Sequence, residues 1–107
     1  MIEGLQVDLQ TQELKEQMIG RSEYHREKAD FYKKQVEEFK KAHESLAPEL
    51  QYSNAINSPV NGMENKVEEH QKKSAVFTFM AEHLVPNETY RLSENDLNRL
   101  EIISRYF

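Results

Sequence analysis

The sequence predicts an all-α fold: a long antiparallel helical hairpin of two helices, followed by a short C-terminal helix. Three observations carry that expectation. Apolar residues recur at alternating steps of three and four over two long stretches, His25 to Leu50 and Val60 to Leu84. Only three Gly and three Pro occur in the chain, so long helices are allowed. Charged residues, 31% of the total, are finely interleaved with the apolar ones, which suits a wet helix face better than a disordered polyelectrolyte.

At 107 residues the chain is expected to form a single helical domain over 1–107. Its first ten residues carry Ile2, Leu5, Val7 and Leu9, which together fit neither the helical nor the strand period, and they predict an irregular lead-in. Helix 1 is expected over about 8–47, with Asp8 or Thr11 accepting a hydrogen bond from an orphan amide of the first turn. Its apolar stripe runs through Leu14, Met18, His25, Ala29, Tyr32, Val36, Phe39, His43 and Leu46. Gly20 weakens the helix by roughly 1 kcal/mol relative to Ala but faces outward, so one continuous bent helix is favoured over two. The outer face places opposite charges four apart, as in Arg26 with Asp30 and Lys33 with Glu37. Each such pair contributes only about 0.2–0.5 kcal/mol and marks the face as solvated.

Pro48 disfavours helical geometry at Ala47, so a connection is expected over 48–58, with Leu50, Tyr52 and Ile56 as anchors. Helix 2 follows over 59–85. Ser58-Pro59 is its start signal, and Asn61 with Glu64 is a competing one. Its seam is Val60, Met63, Val67, His70, Ser74, Phe77, Ala81 and Leu84, widened by Val76, Phe79 and Met80. Pro86 stops it, and Asn87 to Leu92 reads as a turn. Ser93, with Asp96 three residues on, caps a third helix over 93–106, whose stripe is Leu97, Leu100, Ile103 and either Tyr106 or Phe107.

Packed as an antiparallel hairpin, the stripes place Leu46 near Met63, Phe39 near His70, Tyr32 near Phe77 and His25 near Leu84. The expected core is Leu14, Met18, Tyr32, Val36, Phe39, Leu46, Val67, Phe77, Met80, Leu84, Leu97, Leu100 and Ile103. Helix 2 leaves the Leu14 to Tyr24 portion uncovered, and the third helix either covers it or doubles back to complete a three-helix bundle. Tyr24, Phe31, Phe79 and Ile102 lie beside the main stripes as surplus apolar surface. Self-association into a larger bundle is the economical way to bury them.

Several function classes are disfavoured by composition. A net charge of −5 argues against a phosphate-backbone binder. With no cysteine, disulfides, zinc fingers and thiol catalysis are all absent. The N-terminus does not read as a signal peptide, and no apolar run is long enough to span a bilayer, so a cytoplasmic protein is expected. Neither a phosphate-cradling glycine loop nor a Gly-flanked serine is present, so no enzyme and no cofactor is expected.

The histidines are the remaining candidates. His25, His43 and His70 sit on the seams, and the expected register brings His43 and His70 within about one turn of each other, where they would share a metal or a proton. Supporting ligands are lacking, since no histidine has an acid or a second histidine at helical chelating distance. The leading expectation is a non-enzymatic helical interaction or assembly module: an oligomerising adaptor, a structural subunit, or a small secretion-type substrate or chaperone. It forms a homo-oligomer or meets a heterologous protein partner, without nucleic acid or membrane. The alternative is a metal- or ligand-binding bundle that uses His43 and His70, with nucleic-acid binding a less favoured third reading.

Overall fold

The computed structural model describes residues 4–44 and 57–106. The elements in order are β1 (Gln6–Gln10), α1 (Thr11–Glu44), α2 (Asn57–Glu82), β2 (Thr89–Ser93), α3 (Glu94–Arg99) and a 3-10 turn at Ile103–Arg105. The two long helices pack against each other, as the matching stripes predict. The fold is mostly helical but not purely so, because β1 and β2 pair into a small antiparallel sheet. The expected seam residues Leu46 and Leu50, the helix breaker Pro48 and the alternative stripe residue Phe107 lie outside the described residues.

The chain divides into two compact units, one formed by Met1–Glu23 with Ala75–Phe107 and the other by Tyr24–Ser74. In the first unit, β1 replaces the expected irregular lead-in and β2 replaces most of the expected turn at 87–92. Leu5, Val7 and Leu9 alternate with Gln6, Asp8 and Gln10, and the first set turns inward while the second stays exposed. The partner strand does the same, with Tyr90 and Leu92 turned inward. The register pairs Val7 with Leu92 and Leu9 with Tyr90. On the wet side, Asp8 accepts from Arg91 at 3.2 Å, and Gln10 Nε2 donates to Thr89 Oγ1 at 3.0 Å. Asp8 is therefore a strand residue and not a helix cap.

Thr11 begins α1 and ties it to the chain that follows α2. Its hydroxyl donates to the Val85 carbonyl at 2.6 Å and accepts from the Glu88 amide at 3.0 Å, while its own amide donates to the Glu88 carbonyl at 3.0 Å. Helix α2 ends at Glu82, three residues earlier than expected, and Pro86 disfavours helical geometry at Val85, the last residue of the expected range. The turn then uses Asn87 at φ 59°, a left-handed conformation that asparagine tolerates. At its other end α2 is already helical at Asn57, ahead of both expected start signals.

A single apolar core fills this unit, built from Leu9, Leu14, Met18, Phe77, Ala81, Leu92, Leu97, Leu100 and Ile102. Met80, Leu84 and Ile103 are half-buried against it. Ile102, expected as surplus surface, is buried in this core at 1% exposure. The expected helix over 93–106 is shorter. It is the six-residue α3, a left-handed residue at Glu101 (φ 59°) and the 3-10 turn. The Ile102 amide donates to the Leu97 carbonyl and the Glu101 amide to the Asn98 carbonyl, the paired bonds of a Schellman stop. Glu101 adopts this conformation without being glycine, and its carboxylate is held by Arg21 at 2.9 Å. At the start of α3 the expected cap is present as a full capping box. Ser93 Oγ accepts from the Asp96 amide at 3.2 Å, and Asp96 Oδ2 accepts from the Ser93 amide at 3.0 Å. Leu92 and Leu97 flank that box in the common core, in the positions of a hydrophobic staple.

Among the described residues, the second unit is a pair of helices with few buried apolar side chains. Ala29, Val36 and Val60 are its buried apolar residues among those described, and Tyr32, Met63 and Val67 are half-buried. Its register differs from the expected one. His70 faces His25 and Tyr32, two heptads and one heptad before the expected Phe39, and Lys40 reaches Glu64 at 3.3 Å. Phe39 is 37% exposed and so is not the core residue expected. A strict seven-residue repeat drifts by about 20° per heptad around a straight helix. Met18, His25, Tyr32 and Phe39 occupy one heptad position and become steadily more exposed along α1, in line with that drift.

Candidate functional site

Two features remain once the core is accounted for: a buried histidine pair in the second unit and an outward apolar stripe in the first. The pair is built by α1 and α2. His25 is 2% exposed, and its Nδ1 lies 2.8 Å from Nδ1 of the half-buried His70. At that distance one imidazole donates Nδ1–H to the bare Nδ1 of the other, so the two neutral rings must hold opposite tautomers. The rings are stacked with centroids 5.0 Å apart and 28° between planes. His70 also stacks on Tyr32 at 5.7 Å and 10°, and Tyr24 meets His25 edge-on at 5.1 Å.

Burial holds the His70 imidazole below its ordinary pKa, because the charged form loses hydration there. The adjacent His25 adds to this, as do Lys73 and Lys28 further out, while Glu69 acts in the opposite direction. The Glu69 carboxylate is also within 3.6 Å of Lys73. Lys66 covers the far face of Tyr32 at 5.1 Å from its ring centre. The surroundings are thus aromatic and cationic.

The expected pairing of His43 with His70 is replaced by His25 with His70. Lys40 already reaches Glu64, so His43, almost a turn further along α1, is level with the start of α2. Among the described residues no group of three or more His, Asp or Glu side chains is placed to hold a metal ion. The two Nδ1 atoms are instead occupied by each other. His25 was identifiable in the sequence as a seam residue, but its partner depends on a register that the stripes alone do not fix.

In the first unit, Val76, Phe79 and His83 share the side of α2 turned away from Phe77 and Ala81. Val76 is 55% exposed and Phe79 60%. His83 lies flat on Phe79 with ring centroids 3.9 Å apart, and its Nδ1–H donates to the Phe79 carbonyl at 2.8 Å. Ile19 and Val85 are exposed in the same unit. In the second unit, Tyr24 and Phe31 are exposed on α1, with the Lys28 ammonium 5.8 Å from each ring centre. A cavity of about 350 Å³ lies beside the start of α1, lined by residues including Thr11, Lys15, Glu82 and Leu84. It lacks the converging buried polar groups that a reaction centre requires.

No protein family matches the chain, no curated protein is similar to it, and no solved structure matches its fold. No helix among the described residues is long and apolar enough to cross a membrane.

Proposed function

We propose that this chain is a non-enzymatic helical interaction module that assembles with further copies of itself through its outward apolar faces. The observation that supports this reading is the Val76–Phe79–His83 stripe, which sits on the opposite side of α2 from the residues that build the unit's own core. Taking a phenyl ring of that exposure out of water is worth on the order of 2 kcal/mol. On α1, Ile19 is exposed in the first unit, and Tyr24 and Phe31 are exposed in the second. A thin-cored helix pair gains most from association, because a neighbouring helix supplies the contacts that its own partner does not. Roles as an adaptor, as a structural subunit, or as a small secretion-type substrate or chaperone all use the same mechanism, the exclusion of water from matched helix faces.

Light scattering of the purified chain tests this. The wild type is expected at a multiple of the monomer mass. The Val76→Gln/Phe79→Gln variant is expected at the monomer mass with its helical ellipticity retained, since glutamine is a good helix former. A monomeric wild type, or a variant that keeps the wild-type mass, would refute assembly through this stripe.

A further inference from the structure

We propose that His25 and His70 form a proton-operated latch that holds the second unit, Tyr24–Ser74, closed near neutral pH and releases it on acidification. The two rings are joined by a hydrogen bond between two atoms of the same kind. Nδ1 of His25 and Nδ1 of His70 are 2.8 Å apart, and only one proton fits between them. With no added proton, one ring donates and the other accepts. With one added proton, the same bond persists in charge-assisted form, imidazolium to imidazole. With a second, both Nδ1 atoms carry hydrogen, the bond cannot exist, and two cations face each other across 5.0 Å between ring centres. The second step is therefore incompatible with the closed geometry.

The neighbours make that second step harder. From α1 the pair meets Tyr24, Tyr32 and Lys28; from α2 it meets Glu69 and Lys73, with Lys66 over Tyr32. Glu69 favours protonation but shares its carboxylate with Lys73. Lys73 and Lys28 oppose it.

Location turns the titration into a latch. His25 is buried, so a doubly charged pair cannot be hydrated without separating the helices. Ala29, Val36 and Val60 are the other buried members of this unit among those described, and each is small or branched. The sign follows from linkage. The opened unit binds more protons than the closed one below the ordinary histidine value of about 6.5, so closure is favoured above that pH and is lost as pH falls below it. This inference is independent of the assembly reading, since the pair lies on the inward faces of the helices.

Amide exchange and imidazole nitrogen shifts of the full chain, followed between about pH 7.5 and about pH 5, test the proposal. The expected result is that protection of amides in 24–44 and 57–74, corrected for intrinsic exchange, falls at least tenfold more than protection in 75–106. The His70 nitrogens are expected to take up a proton over the same pH range in which that protection is lost. Replacing both histidines by leucine, or by glutamine as a polar control, is expected to remove the excess loss in the second unit. Two results would overturn the latch. One is both imidazoles doubly protonated with amides in 57–74 still protected. The other is an unchanged acid response of those amides in the double variants. Should neither variant fold, the wild-type shifts and exchange decide alone.

Discussion

Leu9→Ala isolates the contribution of the strand pair. Leu9 is 5% exposed, lies on the inward face of β1 opposite Tyr90, and joins the core that contains Leu92 and Leu97. Removing three buried carbons at about 0.8 kcal/mol each forfeits about 2.4 kcal/mol of transfer free energy. The ladder and the Thr11 contacts hold the backbone on both sides, so the site collapses incompletely and a cavity term of about 1 kcal/mol adds to the loss. The expected destabilisation is therefore about 3–4 kcal/mol, read from urea unfolding followed by helical ellipticity, with an unchanged dependence on denaturant. Asp8→Ala is the matched control. It removes an exposed ion pair with Arg91 from the outer face of the same strand and should cost less than about 0.5 kcal/mol. If Leu9→Ala also falls below about 0.5 kcal/mol, residues 6–10 do not pack as a strand, and the argument for the first unit's core fails.

Two further changes probe local rules. Ser93→Ala should lower stability by about 1 kcal/mol, because the first turn of α3 loses its side-chain acceptor. Hydrogen bonds from the Ser93 backbone and side chain hold the Asp96 carboxyl below its ordinary pKa, so that contribution is present above about pH 4 and disappears as pH falls through the lowered value. The difference between wild type and Ser93→Ala should therefore shrink in strong acid, and a difference independent of pH would refute the reciprocal cap. Gly20→Ala should raise stability by about 0.5–1 kcal/mol, since Gly20 lies inside α1 and an added Cβ meets nothing within 4 Å. A lowered melting temperature would mean that α1 needs the flexibility of glycine there.

Local features could be read from the sequence because their partners are near in the chain. Ser93 and Asp96 are three residues apart, so the cap needed no knowledge of the fold, whereas α2 stops at Glu82, three residues before the end expected from Pro86. The two long stripes were equally legible, since 3.6-residue periodicity is a property of each helix alone. The strands were not. Leu5, Val7 and Leu9 alternate over only five residues, Ile2 breaks the pattern, and the partners Tyr90 and Leu92 lie some eighty residues away. Half of a two-stranded ladder does not announce the other half. The same limit explains the course of α1 past Tyr32. A heptad written on paper stays in line, whereas on a straight helix it drifts, and Phe39 emerges on the side of the interface.

The histidine partner was hidden for a different reason, and that reason bears on what selects the register. Apolar stripes pair almost equally well after a slip of one heptad, because each slip again opposes branched and aromatic residues to one another. An imidazole does not tolerate the same slip. With His70 opposite Phe39, as the stripes alone suggest, the buried Nδ1 of His25 would lose its partner, at a cost of about 1–3 kcal/mol for an unsatisfied polar atom. That difference is comparable with the burial of one aliphatic side chain. The polar pair is thus the feature that distinguishes the observed register from its neighbours, in the way a lone polar residue sets register in a coiled coil. In the first unit, the strand ladder and the Thr11 bonds to Val85 and Glu88 do the same job by main-chain geometry. Each unit has its own register lock, and the one built from titratable groups is the one that acid can open.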